Sequence, residues 1–263
     1  MDLKIENRVA LVCAASKGFG KQIALDLARE GADVVICARN QGALEETAQF
    51  IRETTGVRVL PVVCDLTRAD DVVHLVAEAR KHFSTIDILV TNVPHPKMGS
   101  FFTLTEEDWA YGFQSNLMPV IRICREVIPH MREKQWGRIV HITSFAVKEP
   151  SLTYLLSGVF RTGIAALSKS LSKEFGREGI LVNTVCPGLF RTPLGEEILE
   201  RKAQRQGVTV EEAERELAAP TSVGRIGEVE ELSGMVAFLC SEAAGHITGQ
   251  VFTVDGGKSH GLL

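Results

Sequence analysis

The chain has 263 residues, of which 45% are hydrophobic and 24% charged, and a formal net charge of −4. That length suits one α/β domain or two small ones with a sizeable core, and the composition is that of a soluble globular protein. It lacks the basic surplus that nucleic acid or an anionic membrane would select, no apolar run approaches the ~20 residues of a membrane span, and residues 1–8 do not read as a signal peptide, so a cytoplasmic protein is expected. Cys13, Cys37, Cys64, Cys124, Cys186 and Cys240 are dispersed with no CxxC pair, mostly inside apolar strand-like runs. They read as buried thiols in a reducing compartment, and no metal site is expected.

The first unit, residues 9–31, reads VALVCAASKGFGKQIALDLAREG. Residues 9–13 are a short apolar run, as a strand buried on both faces shows. Residues 14–20 form a turn of small residues in which Gly18 and Gly20 bracket Phe19. Beyond it Ile23, Ala24, Leu27 and Ala28 mark the stripe of a helix packed on a sheet. Strand, turn and helix bring backbone N–H groups and the positive end of a helix dipole to one point, which suits a pyrophosphate. A glycine at 18 admits close backbone approach to phosphate, and one at 20 lets helix and strand pack closely. An ordinary strand-to-helix turn would also accept two glycines, so the rest of the chain has to decide.

The rhythm of strand and helix continues. Strands are expected at residues 34–37, 57–64, 86–90, 138–143, 180–185 and 250–254, and helices at 41–54, 69–83 and 154–175. A long helix runs from the fourth strand through Trp109 and Asn116 to about Arg132, kinked or offset at Pro119. Alternation of this kind predicts a Rossmann-like, doubly wound parallel sheet of about seven strands with helices on both faces and right-handed crossovers. Ligands of such sheets bind beyond the carboxyl ends of the strands. Residues 191–224 break the rhythm with a polar, helix-favouring stretch at a strand's carboxyl end, which reads as a mobile substrate lid over about 190–224. No linker, repeat or low-complexity tract divides the chain, so residues 1–263 read as one domain.

A series of short motifs then appears in a fixed order. Cys13-Ala14-Ala15-Ser16-Lys17-Gly18-Phe19-Gly20 is followed by Asp65 in CDLT, Thr91-Asn92-Val93-Pro94 after the fourth strand, and Asn116 in the long helix. Ser144 closes RIVHITS, Pro187-Gly188-Leu189-Phe190-Arg191-Thr192 follows the sixth strand, and ITGQVFTVDGG lies near the end. In this order and spacing they resemble the short-chain dehydrogenase/reductase family, and most nearly its 3-oxoacyl-acyl-carrier-protein reductases. The resemblance matches the first motif to TGxxxGxG, with Cys-Ala for Thr-Gly, the second asparagine segment to NNAG with one asparagine kept, and the last loop to PGxxxT. It implies a nicotinamide dinucleotide held by Ser16, Lys17, Gly18, Phe19 and Gly20, by Asp65 and Leu66 at the adenine, by Asn92 and Val93, and by Pro187, Gly188 and Thr192 at the carboxamide. It implies Ser144 and Asn116 as catalytic residues. A homodimer or homotetramer is also implied, with residues 229–240 and Leu262-Leu263 as candidate surfaces, although core packing also accounts for them.

Cofactor choice has its own physical reading. A carboxylate at the end of the second strand would accept hydrogen bonds from ribose hydroxyls and repel a 2′-phosphate. Ala38 stands there instead, Arg39 follows, and Lys17 sits in the glycine turn. Two cations flanking the ribose favour NADP(H), with NAD(H) the second choice.

The catalytic stretch departs from the family. The positions of its Tyr and Lys fall on Ser157 and Arg161. The nearby phenol is Tyr154, seven residues before Arg161, which on a helix is two turns along one face. Tyr154 is the candidate acid/base or a pocket wall, and Arg161 the candidate to stabilise a tyrosinate and bind the nicotinamide ribose. Arginine cannot itself donate a proton at useful pH, and Ser157 makes only an orienting donor. His95, in the loop VPHPKMGS, is an alternative acid. His141 reads as a satisfied core histidine, and Lys97 and Lys148 as solvated surface. The pocket lining is expected from the lid, Phe145, Leu152, Tyr154, Phe190 and the loop at 93–101. The reading is an NADP(H)-dependent oxidoreductase that interconverts a carbonyl and a secondary alcohol on a small molecule. Loss of the regular Tyr and Lys would suit a catalytically silent nucleotide-binding protein acting through partners, and a double-bond reductase is a third reading. Ser144, Asn116, the PGxxxT segment and the lid favour the enzyme.

Overall fold

A computed structural model describes residues 2–261. Its strands are β1 (Val9–Cys13), β2 (Asp33–Ala38), β3 (Val59–Val63), β4 (Ile88–Thr91), β5 (Gly137–Ile142), β6 (Ile180–Pro187) and β7 (Val251–Val254). All pair in parallel in one sheet of order β3-β2-β1-β4-β5-β6-β7. The order reverses between β1 and β4, and a crevice opens there beyond the strands' carboxyl ends.

Because neighbouring side chains on a strand face opposite ways, one strand feeds two cores. Ala10 and Val12 of β1, with Val34 and Ile36 of β2 and Val140 and Ile142 of β5, pack under α1 (Gly18–Arg29), α2 (Gln41–Thr55) and α9 (Val229–Leu239). Val9 and Leu11, with Val35, Leu89 and Ile139, face α3 (Ala69–Phe83), α5 (Met118–Lys134) and α6 (Leu155–Phe175). Burial on both faces explains why these strands read as continuous apolar runs.

The long helix expected after the fourth strand is an uninterrupted helical run from Glu106 to Lys134. Within it α4 (Glu106–Gly112) passes through a π-helical turn, Phe113–Leu117, directly into α5, with Pro119 as the second residue of α5. The offset is therefore made by the π turn around Asn116. Residues 191–224 fold into α7 (Pro193–Gln206) and α8 (Val210–Ala218), each started by a threonine cap, Thr192 accepting from the Gly195 N–H at 3.0 Å and Thr209 from the Glu212 N–H at 3.2 Å. The stretch 229–240, a candidate subunit surface by sequence, places Leu232, Val236, Ala237 and Leu239 in the core beside α1. Its apolar pattern is explained by that packing. Leu262 and Leu263 lie outside the described residues. No helix among the described residues is long and apolar enough to cross a membrane.

Candidate active site

A cleft of about 690 Å³ runs along the carboxyl ends of the strands, from β3 to β6, with α7 and α8 over it. At one end, β1 passes into α1 through Ala14 to Lys17. Ala14 takes a left-handed φ of 52° and Gly18 one of 55°. A Cβ on Gly20 would lie 2.8 Å from the Ala15 Cα and closer still to the Ala14 carbonyl oxygen, so the helix rests directly on the turn. Ala15 N–H donates to the Cys37 carbonyl at 3.0 Å and Thr47 Oγ1 donates to that of Ser16 at 3.2 Å, which fixes the turn to β2 and α2. No side chain caps α1 and no acidic residue stands in its first turn. Its N-terminal N–H groups and dipole therefore have no anionic partner from the cap residue or first turn among the described residues.

Lys17 and Arg39 line this end, both exposed and neither in an ion pair among the described residues. Across from them Asp65 Oδ1 accepts from the Thr67 N–H at 2.9 Å and the Thr67 hydroxyl at 2.8 Å. Burial pushes the Asp65 carboxyl up, but these two bonds and the charges of Arg39 and Arg68 outweigh it and hold it below its usual range. Oδ2 remains free to accept from a ligand. Beneath lie Cys37 and Cys64. Cys13 pairs with Cys37 across β1 and β2, and hydrogen bonding to Cys13 together with burial pushes the Cys37 thiol up. All six cysteines are free and buried.

At the other end β5 delivers Thr143 and Ser144. Ser144 Oγ accepts from the Ala146 N–H at 3.2 Å and caps a short 3₁₀ turn, which leaves its own proton to donate. Tyr154 stands just before α6, half-buried and edge-on to both His95 (5.4 Å between ring centres) and Phe145 (6.0 Å). Burial pushes its phenol above the usual range. Arg161, two turns further on, is buried. Its Nη1 donates to the Thr143 carbonyl, and Nη2 to those of Val93 at 3.2 Å and Pro94 at 3.5 Å. Burial lowers the guanidinium to about 10, so it keeps its charge at neutral pH. Ser144, Tyr154 and Arg161 line the same cleft as Lys17 and Arg39.

The sequence matches a family model described as enoyl-(acyl carrier protein) reductase over residues 13–259. The chain belongs to the short-chain dehydrogenase/reductase family. It is 34% identical to the human (Homo sapiens) dehydrogenase/reductase SDR family member 4 over 254 residues, covering 96% of this chain and 88% of that one. The L-sorbose reductase of Gluconobacter frateurii, solved with NADPH and L-sorbose, superposes with a TM-score of 0.96 at 31% identity over all of both chains. An actinorhodin polyketide ketoreductase variant, solved with NADPH, gives 0.91 at 33% identity over 97% of this chain and 98% of the other. Like other short-chain dehydrogenases/reductases, the chain is an oxidoreductase acting on CH–OH and C=O groups with a nicotinamide nucleotide.

The residues that mark this short-chain dehydrogenase/reductase by sequence fall mostly where expected. Ser16, Gly18, Phe19, Leu66, Asn92, Val93, Pro187, Gly188 and Thr192 all line the cleft. Gly20 does not, being buried at the helix–turn contact. Asn116 lies one layer behind the wall, fully buried in the π turn, donating to Ser115 Oγ at 3.0 Å with its Oδ1 unpartnered. Ser157, at the family's Tyr position, is buried away from the cleft with no partner for its hydroxyl. Leu152, expected in the lining, is 90% exposed and outside it, whereas Phe145, Tyr154 and Phe190 do line it. Met98 and Phe101 are exposed, and of the 93–101 loop only Val93, Pro94 and His95 reach the main cleft. His95 Nδ1 donates to the Pro96 carbonyl at 2.7 Å, which leaves Nε2 unprotonated, and burial and the Arg161 charge lower its pKa. His141 is a core histidine only half satisfied: Nδ1 shares a 2.8 Å bond with Thr91 Oγ1, and Nε2 has no partner. Lys97 pairs with Asp108 at 2.7 Å. Three features had no sequence signal: the π turn, the meeting of dispersed cysteines through strand register, and Lys258, which the loop after β7 brings into the wall.

Proposed function

We propose that this oxidoreductase reduces a carbonyl compound to a secondary alcohol with NADPH. The observation that carries the reading is that Ser144, Tyr154 and Arg161 share one cleft with an uncapped α1 N-terminus flanked by two unpaired cations. The uncapped helix start, the direct contact at Gly20 and the lack of first-turn acids fit a pyrophosphate. Lys17 and Arg39 fit an added 2′-phosphate, where an ordinary diol would leave both charges unused. Bound there, the reduced nicotinamide supplies a hydride to the substrate carbon.

The chain's own residues handle the oxygen and the proton. Ser144 and Tyr154 donate to the carbonyl oxygen, and their bonds strengthen as it gains negative charge. Tyr154 then gives up its proton. A phenol whose pKa is raised stays protonated through neutral and mildly alkaline pH, so reduction persists as pH rises, while oxidation, which needs the phenolate, speeds up with pH. Arg161 opposes the charge left on Tyr154 and, through Thr143 and Val93, fixes the strand ends from which Ser144 and Asn92 project. The unpartnered Asn116 Oδ1 suits a water that returns the proton. α7 and α8 act as the lid, and a homodimer or homotetramer is part of the same reading.

The test combines cofactor titration with a panel of ketones and oxoacyl thioesters. NADPH should bind more tightly than NADH, turnover should appear, and Tyr154→Phe should lower kcat about 100-fold with NADPH affinity retained. An unchanged rate in that variant transfers the acid role to water, since His95 is neutral with its one proton held by the Pro96 carbonyl. Tight NADPH binding with no turnover on any carbonyl would make the chain a silent nucleotide binder, and tighter NADH binding would reverse the cofactor preference.

A further inference from the structure

The charges of the cleft do not balance at its catalytic end. Four arginine and lysine side chains line the cleft among the described residues: Lys17, Arg39, Arg161 and Lys258. The first two serve the dinucleotide end, and Arg161 is bound to backbone carbonyls. Of the two acids in the wall, Asp65 lies at the dinucleotide end and Glu197 pairs with Arg201. Lys258 has no carboxylate within ion-pair distance among the described residues. Its Nζ sits 4.5 Å over the ring of Phe145, the residue that follows Ser144 and packs edge-on to Tyr154.

An ordinary surface lysine hangs from a mobile backbone, and this one does not. Asp255 Oδ1 accepts from the Gly257 N–H at 2.9 Å, and its Oδ2 accepts from the Ser259 N–H at 2.9 Å and hydroxyl at 2.5 Å. Asp255 is therefore engaged by its own loop. Ser222 Oγ donates to the Gly257 carbonyl at 3.1 Å and the Val223 N–H to that of Gly256 at 3.2 Å, which ties the loop to the foot of the lid. The His260 N–H donates to Glu149 Oε2 at 3.1 Å, which ties it to the turn after β5. The loop is thus held on two sides with its one cation turned to the aromatic wall beside the two reacting hydroxyls.

We propose that Lys258 anchors a carboxylate on the substrate, so that the natural substrates are oxo acids and the products hydroxy acids. This rests on the reading of the site as a carbonyl reductase. A half-buried ammonium over an aromatic face gains a charge-assisted hydrogen bond from a carboxylate and gives up little water to make it. A single ammonium matches a single negative charge, in contrast to the paired cations at the other end. In the reaction a C–H bond forms at the carbonyl carbon, the C=O π pair moves to oxygen, Tyr154 protonates it, and NADPH is oxidised to NADP⁺.

The experiment uses 2-oxo and 4-oxo acids, each beside its methyl ester, with wild type, Lys258→Met, Lys258→Gln and Lys258→Arg. Melting temperature and NADPH affinity establish that each variant is folded. Wild type should prefer acid to ester, and in the Met and Gln variants the acid-to-ester ratio of kcat/KM should fall about 10-fold, carried by KM, with recovery in Lys258→Arg. Calorimetry of the oxo acid against enzyme with NADP⁺ should show the same loss in affinity without any turnover. An unchanged ratio and unchanged affinity overturn the anchor while leaving carbonyl reduction standing. Lys258-dependent binding of the acid with no turnover of acid or ester would support the anchor and sink the reductase reading.

Discussion

At the dinucleotide end of the cleft Lys17 and Arg39 stand exposed in no ion pair among the described residues, whereas at the catalytic end Arg161 is buried with its guanidinium on the carbonyls of Thr143, Val93 and Pro94. The first pair keeps its hydration until a ligand replaces it, so its charge is available for binding. The second has exchanged water for backbone dipoles during folding, so its charge already holds the ends of β4 and β5 together. A cation's place in a cleft does not by itself say what it does. Its remaining partners do: in the proposed site Arg161 would first be a positioning residue, with Lys17, Arg39 and Lys258 left free to bind.

The largest effect should come from the contact on which the dinucleotide end is built. In Gly20→Val the new Cβ would meet Ala14 and Ala15 at distances no real Cβ tolerates, so α1 must lift off the turn. Such overpacking costs about 3 kcal/mol, and its displacement of the helix N-terminus should weaken NADPH at least about 100-fold. Fluorescence titration and chemical unfolding read both. Retained affinity would show that the ligand does not rest on the helix start.

A paired measurement sharpens the contrast between the cations. Arg161→Met leaves the buried carbonyls of Thr143 and Val93, and the part-buried one of Pro94, without this donor and should cost about 2 kcal/mol in a denaturant titration. Arg39→Ala should leave unfolding unchanged within about 0.5 kcal/mol and raise the NADPH dissociation constant about 10-fold, with NADH little affected. Were the stability loss to follow Arg39 and not Arg161, the division into structural and binding cations would be wrong.

The same division explains what could be read from the chain. The dinucleotide end depends on backbone geometry, and backbone geometry leaves marks: apolar runs for strands buried twice, small residues where a helix meets a turn, Gly20 where no Cβ fits. The sheet and this end were therefore legible. At the catalytic end the outcome hangs on where single side chains go. Nothing in the spacing of Tyr154 and Arg161 says that the guanidinium folds back onto Thr143 and Val93. A π turn has no residue signature, so the offset expected at Pro119 lies just before it, in the turn that carries Asn116. Leu152 follows the polar stretch Lys148–Ser151 and is carried out to solvent by the loop. Lys258 became visible only when Asp255 closed its loop.

The smallest effect concerns His141, which lies on β5 under the catalytic end and shows how far that region is sealed. Its imidazole is fully buried, and burial lowers its pKa from 6.5 to about 4. The folded chain thus keeps it neutral where the unfolded chain takes up a proton. A depressed folded pKa gives stability that is complete above about 6.5 and is lost as pH falls toward about 4. At pH 5.5 that loss is about 1 kcal/mol relative to neutral pH, before the carboxylates begin to contribute. His95 and His130 are lowered in the same direction, so the measurement has to be a difference. His141→Asn keeps a polar atom toward Thr91 and has no proton to gain. Urea unfolding at neutral pH and at pH 5.5 should therefore show wild type losing about 1 kcal/mol more than the variant. Equal losses would mean that water reaches the imidazole, and a wetted β5 would leave Arg161 hydrated and free for ligand, erasing the distinction between the two ends.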